Sequence, residues 1–325
     1  MTPQMSEIRP EYERLWPRKS RRLRPVRRWL QYWVARGALA LAGRLSVPVL
    51  QKLGRQLGLL AYRFGKTDRA VCEHQLRQAL PELSEAERAR IVRECFAHMG
   101  TAAIEMLALP RMRQEGERWV SLEHEEVLQE AFAQGKGLIL VTCHSGNWEL
   151  LNIVVNRLRI PTLGVAKPLH NRRLNDLLLE ARRSPFVEMM QRGSKDSPRQ
   201  LLAALKHGKA LVLLIDQDID VQSVYVDFFG VPARTPRVAA SLALRMNVPV
   251  VTAFDRRLPD GTHTMRFEAV PVSDAIRSDV NPERALTQAI TAKIEAHVRA
   301  WPEQWAWNHR RWLHPPQAEG DRPSA

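Results

Sequence analysis

The segment Cys143-His144-Ser145-Gly146-Asn147-Trp148-Glu149 gathers side chains suited to chemistry between an apolar run, Gly137 to Cys143, and a helical pattern, Asn147 to Leu158. An imidazole beside a carboxylate is apparatus for general-base catalysis. The carboxylate fixes the tautomer and raises basicity, and the second nitrogen takes a proton from a hydroxyl. His144 and Glu149 are five residues apart, about 140° on one helix and on opposite faces of one strand, so neither regular element lets them meet. A turn at Ser145-Gly146 with Glu149 in the first helical turn does, and N–H groups at that helix start would help hold an oxyanion or phosphate. Two rivals fail on geometry. Cys143 and His144 are consecutive at a strand end and point apart, which makes Cys143 a core thiol. Ser145 lacks the G-x-S-x-G elbow that presents a serine nucleophile.

Asp216 and Asp218 close the strand Ala210 to Ile215 and, two apart, face one side, where they would bind a cation, accept hydroxyls or cap a helix. Val226-Asp-Phe-Phe-Gly230 offers two aromatics for a core or an acyl groove. Pro302 to Trp312 sets three tryptophans with His309, Arg310 and Arg311, as a membrane-facing cluster or a cation-capped helix end. No H-E-x-x-H, P-loop or G-x-G-x-x-G motif occurs, which removes the sequence support for zinc hydrolysis, nucleotide hydrolysis and dinucleotide redox chemistry.

The elements that must position these residues follow from pattern. From about Glu117, short apolar strands (137–143, 162–166, 187–191, 210–215, 248–254, 263–270) alternate with helices (147–158, 172–183, 197–206, 236–246, 282–300). This predicts an α/β fold: a mixed, largely parallel sheet flanked by helices, with ligands at the carboxyl ends of its strands. Residues 28 to about 115 read as helical. Ser84 with Glu87 forms a capping box that opens a helix from Glu85 to Leu109, which Pro110 closes. The 325 residues are 45% apolar and 26% charged, ordinary globular usage, and three cysteines without C-x-x-C spacing fit a reducing compartment better than a disulfide framework.

The net charge of +14 is local. Residues 1–66 carry 15 Lys/Arg against 3 Asp/Glu, which leaves +2 for the rest of the chain. Seven of the eleven residues Arg18 to Arg28 are basic, and Trp29, Tyr32 and Trp33 follow, the composition of a segment seated at an anionic headgroup layer. Arg36, Arg44, Lys52 and Arg55 interrupt the apolar stretch from Val34 to Leu60, so an interfacial helix is expected in preference to a transmembrane one, and a cleaved signal peptide is disfavoured. The expected organisation is a basic N-terminal membrane-associating segment (1–66), a helical region (67–115), an α/β core (116–313) and a disordered tail (314–325).

Five ordered blocks, His144-Ser-Gly-Asn-Trp-Glu149, Gly164-Val-Ala-Lys-Pro168 with Asn171, Asp216-Gln-Asp218, Phe228-Phe-Gly230 with Thr235-Pro236, and Pro302 through Arg311, together resemble the lipid A biosynthesis lauroyl and myristoyl acyltransferases, within the lysophospholipid acyltransferase superfamily. The resemblance covers roughly residues 20–313. It implies a bacterial enzyme at the cytoplasmic face of the inner membrane that moves a fatty acyl chain from acyl carrier protein to a hydroxyl of a lipid A precursor, with no metal and no cofactor. His144 is then the general base and Glu149 its partner. Lys167 and Asp216 fall in the substrate-binding blocks, and Asn147, Asp218 and Arg310 complete the substrate-binding candidates. Lys167 stands where most members carry Arg and lacks the bidentate phosphate fork. That leaves open another acceptor, such as a phosphatidylinositol mannoside or a lysolipid. A different class, a non-catalytic basic adaptor for membrane or nucleic acid, would need none of His144, Glu149 or Asp216.

Overall fold

The structure, a computed structural model, describes residues 24–169, 171–193 and 196–316. Most of the polybasic run Arg18 to Arg28 and the tail beyond residue 316 fall outside the described residues or their side chains. Helices α1 (Arg24–Ala42), α2 (Val47–Phe64), α3 (Lys66–Ala79) and α4 (Glu85–Gln114) precede the sheet. The capping box at the start of α4 is present: Ser84 Oγ accepts from Glu87 N–H, and the Glu87 carboxylate accepts from Ser84 N–H at 2.8 Å. Pro110 does not end this helix. The 30 residues of α4 run through it to Gln114, because Leu109 and Met112 are fully buried on either side and packing outweighs the one hydrogen bond that proline removes.

Strands β1 (Val120–Glu123), β2 (Leu138–Thr142), β3 (Thr162–Ala166), β4 (Val187–Gln191), β5 (Ala210–Leu214), β8 (Val250–Arg257) and β9 (His263–Ala269) form one sheet in the order β1-β9-β8-β2-β5-β3-β4. Every neighbouring pair is parallel except β8 and β9, so the sheet is mixed and largely parallel, as the alternation of elements implied. Strands β6 (Ser223–Phe228) and β7 (Val231–Pro236), absent from the strands that pattern predicts, make a separate antiparallel hairpin that turns at Phe229-Gly230. Helices α5 (Glu125–Ala133), α6 (Leu151–Arg157), α7 (Arg172–Arg182), α8 (Ser197–Lys206), α9 (Val238–Met246) and α10 (Pro282–Ala300) complete the layers.

Strand β2 is buried on both faces, and its side chains alternate between two cores. Ile139, Val141 and Cys143 join one with α3, α8, α9 and α10; Leu138 and Leu140 join the other with the end of α4 and α6. Phe228, Phe229, Trp305, Trp307 and Trp312 all lie in the first core, each 5% exposed or less, so the aromatic block is neither an acyl groove nor a membrane-facing cluster. Helix α2 crosses α4 closely enough that a Cβ at Gly58 would collide with the Phe96 carbonyl oxygen. With that face packed, α2 turns Val49, Leu53, Leu57, Leu60 and Phe64 outward, 39–71% exposed, at the spacing of one helical stripe. Among the described residues no helix is long and apolar enough to cross a membrane.

Candidate active site

Strands β2 and β5 are parallel neighbours with Thr142 opposite Leu214, so two residues further on His144 stands beside Asp216 at the carboxyl edge of the sheet. Asp216 Oδ1 lies 2.8 Å from His144 Nδ1, and its Oδ2 accepts from the His144 backbone N–H at 2.7 Å and from Trp305 Nε1–H at 2.8 Å. Burial alone would raise the Asp216 pKa. The pull of His144 and these hydrogen bonds overcome it and hold the carboxyl well below the usual carboxylate range. An ionised partner on Nδ1 places the ring proton there and leaves Nε2 as the basic nitrogen. The His144 ring is 17% exposed, packs edge-to-face on Trp148 and His309, and has Gln217 Nε2 3.1 Å from its Nε2. Gln217 and His309, with Asp218, Asn308, Arg310 and Leu313, line a cleft of about 370 Å³ beside it.

The expected approach of Glu149 to His144 is not the arrangement found. Gly146 adopts a left-handed conformation (φ 59°), Asn147 follows at φ −129° and ψ 84°, and a 3₁₀ turn at Trp148–Leu150 carries Glu149 to Arg182 instead of His144. There Arg182 grips it with both arms of its guanidinium, Nε to Oε2 at 2.8 Å and Nη2 to Oε1, and the pair lines a narrow slot with Trp148, Leu151, Val165, Val212 and Leu214. What brings a carboxylate to His144 is strand register rather than the local turn.

The remaining candidates divide between the site and its frame. Lys167 is exposed just past β3, two strands from β2 along the same edge. Arg310 is half-buried and lines the cleft. Asp218 does not pair with Asp216; its buried carboxylate accepts from His314 N–H at 2.8 Å and meets Arg234 at 3.4 Å. Asn147 is buried, donates to Glu105 Oε2 at 2.8 Å and accepts from Glu149 N–H, so it braces the turn. Ser145 is buried with its Oγ 3.1 Å from His297 Nε2, and burial pushes the Cys143 thiol up, which removes both as exposed nucleophiles. Among the described residues no cluster of His, Cys, Asp and Glu could hold a metal ion.

Behind the turn lies a buried ionic network that pattern reading did not anticipate. Asp255 Oδ2 accepts from the Asn147 backbone N–H at 2.6 Å and meets His263 Nδ1 at 2.8 Å. Glu105 is gripped by Arg257, with Nη2 to Oε2 at 2.7 Å, and receives Gln51 Nε2–H at 2.8 Å. Burial lowers the His263 pKa, but Asp255 and Glu105 outweigh it and raise the ring to about 9, so two cations balance two carboxylates. A Cβ at Gly146 would run into the Asp255 carboxylate, which is why the turn needs glycine there. On the other side the chain after α10 is zippered to the turn, Gly146 N–H to Gln304 O and Ala306 N–H to His144 O, both 2.9 Å. In the sequence each of these charges reads as an isolated surface residue; only their positions at the ends of β8, β9 and a helix of mixed polarity hinted at burial.

Fold and site together define an α/β protein with a histidine–carboxylate pair at the carboxyl edge of a largely parallel sheet, next to an open cleft. The profile of the family described as "Bacterial lipid A biosynthesis acyltransferase" matches residues 16–314, and the chain belongs to that family. It is 28% identical to the lipid A biosynthesis lauroyltransferase of Escherichia coli (strain K12) over 94% of this chain and 98% of that protein. Identity to the lipid A biosynthesis palmitoleoyltransferase of the same strain is 27% over 92% and 96%. A phosphatidylinositol mannoside acyltransferase of Mycobacterium tuberculosis (strain CDC 1551 / Oshkosh) is 27% identical over 57% of this chain and 58% of its own length. The chain is thus an acyltransferase with a lipid acceptor.

Proposed function

We propose that this acyltransferase moves a fatty acyl chain from an acyl carrier protein thioester to a hydroxyl of a lipid A precursor at a membrane surface, with His144 as general base. The observation that carries the reading is the buried Asp216 carboxylate on His144 Nδ1, which leaves Nε2 basic on the side of Gln217 and the cleft. As the acceptor oxygen attacks the thioester carbonyl, its proton passes to Nε2, and the imidazolium is stabilised by Asp216. When the tetrahedral intermediate collapses, the C–S bond breaks and the same proton goes to the departing sulfur. No covalent acyl-enzyme is needed.

Asp216 is in this account a positioning residue. Glu149 takes no proton from His144; with Arg182 it shapes the apolar slot beside the site. Arg310 in the cleft lining, with Lys167 exposed along the same sheet edge, supplies positive charge that would steer an anionic acceptor. The outward stripe of α2, with Lys52, Arg55 and Arg63 on the same helix, supports seating on an anionic bilayer. Purified full chain, incubated with lauroyl–acyl carrier protein and an underacylated lipid A precursor, should add one acyl mass to the lipid by mass spectrometry. A product formed only from a phosphatidylinositol mannoside or a lysophospholipid would move the acceptor class and keep the chemistry. No product from any acyl carrier protein thioester would refute the donor.

A further inference from the structure

The sheet edge holds a second imidazole that the mechanism above does not use. The rings of His309 and His144 meet edge-to-face with centroids 4.8 Å apart and an interplanar angle of 88°. Between them lies the Gln217 amide nitrogen, 3.1 Å from His144 Nε2 and 3.2 Å from its Nδ1, 2.6 Å from His309 Nδ1 and 3.2 Å from His309 Nε2. One small polar group therefore touches both imidazoles at once, donating to them in this structure; an oxygen in its place would accept from the His309 ring N–H, which a neutral imidazole carries on either nitrogen. A reacting centre needs just such a point, within about 3 Å of both the base and the donor that receives the developing charge.

We propose that His309 is a second catalytic residue, whose ring N–H donates to the thioester oxyanion at the place where the Gln217 amide rests between the two histidines. The proposal builds on the acyl-transfer reading and on His144 as its base. The two histidines differ from Gln217 in how they are held. His309 donates its backbone N–H to Ala306 O at 3.1 Å, and its carbonyl accepts from the buried Gln75 Nε2 at 2.6 Å. The tryptophans on either side of it, Trp307 and Trp312, are locked in the core. Gln217 follows the end of β5 on a flexible side chain and lines the open cleft, so an incoming acceptor and thioester displace it without disturbing either ring.

The protonation state suits a donor. Burial, reinforced by His144 and opposed by Asp216, lowers His309 to about 4, so above pH 5 it is a neutral imidazole with one N–H. Asp218, Asn308 and Arg310 complete the polar lining of the cleft. The step balances. The acceptor hydroxyl proton moves to His144 Nε2 while the C–O bond forms. The carbonyl π pair moves onto oxygen, where the His309 N–H receives it without giving up its proton. On collapse the C=O re-forms, the C–S bond breaks and sulfur takes the proton from His144.

The test uses the full chain with lauroyl–acyl carrier protein and lipid acceptor, comparing wild type with His144→Ala, His309→Phe and His309→Gln. Phenylalanine keeps a ring and its packing but has no N–H; glutamine restores a donor. We expect His309→Phe to lower kcat about 10²–10³-fold, the usual cost of one oxyanion donor, with both KM values within threefold of wild type. His309→Gln should recover at least tenfold of that loss, and the deficit of both His309 variants should stay constant from pH 6 to 9. His309→Phe within threefold of wild type, a loss confined to KM, or His309→Gln no better than His309→Phe would overturn the proposal. Absence of turnover in wild type would instead refute the acyl-transfer reading on which it rests.

Discussion

Asp216→Asn is a single-atom test of how His144 is set. The carboxylate accepts three hydrogen bonds: one oxygen takes the His144 ring, and the other takes both the His144 backbone N–H and the Trp305 indole N–H. An asparagine has one accepting oxygen, and it goes where two donors converge. Its NH₂ group then faces His144 Nδ1, which must turn acceptor, and the ring proton moves to Nε2. The base is lost while the fold keeps all three hydrogen bonds, one of them reversed and none now made to a charge. A wrong tautomer in a histidine–carboxylate site costs about 10⁴ in kcat, or about 5 kcal/mol of transition-state stabilisation. Removing the charge from these hydrogen bonds costs about 1.5–3 kcal/mol of stability, a fall of several degrees in Tm that leaves the protein folded at 25 °C. Steady-state transfer rates beside a thermal melt separate the two effects. A kcat for Asp216→Asn within tenfold of wild type, with Glu149→Gln inactive, would refute the argument from register and return Glu149 to the partner's place.

Three further outcomes follow from other contacts. Glu149→Gln weakens its bidentate grip by Arg182, and we expect a drop of about 1–3 kcal/mol in unfolding free energy by denaturant titration, with kcat reduced far less than in Asp216→Asn. Stability should fall as pH rises from about 6.5 through 9, because His263 is raised from 6.5 to about 9: its contribution is complete below the unfolded value and is lost above the folded one. Thermal melts across pH 6–10 should show this slope in wild type and a flatter one in His263→Gln; parallel slopes would mean that His263 is not a cation in the fold. Replacing Leu53, Leu57, Leu60 and Phe64 together by Ser should release most of the protein from anionic vesicles in a flotation assay while leaving transfer to detergent-dispersed lipid, whereas undiminished flotation would move the membrane contact away from α2.

Much of the sheet was legible because its strands are short apolar runs between turn residues: β3, β4 and the helices α8 and α10 fall where periodicity placed them. The β6–β7 hairpin was not, since its strands mix Asp227, Arg234 and two prolines with a few inward side chains and show no clean alternation. Pro110 misled for a related reason: a local rule yields when buried residues on both sides hold the helix. At the site, His144 and the aspartates were visible as polar residues ending apolar strands. Their pairing was not, because parallel register is a long-range property, and a carboxylate five residues away looks nearer than one 72 residues away. One signal was available: β2 and β5 are runs of equal length, each followed, two residues past its end, by the polar side chain that meets the other. The network of Glu105, Asp255, Arg257 and His263 left no such mark, since its balance of charge exists only once β8, β9 and α4 pack together.

If His144 moves the proton in acyl transfer, the single-turnover rate of His144→Ala with saturating acyl carrier protein thioester and lipid acceptor should fall by about 10²–10⁴-fold at an unchanged Tm, since a positioned general base supplies that much. A folded His144→Ala protein that transfers the acyl chain at the wild-type rate would contradict it.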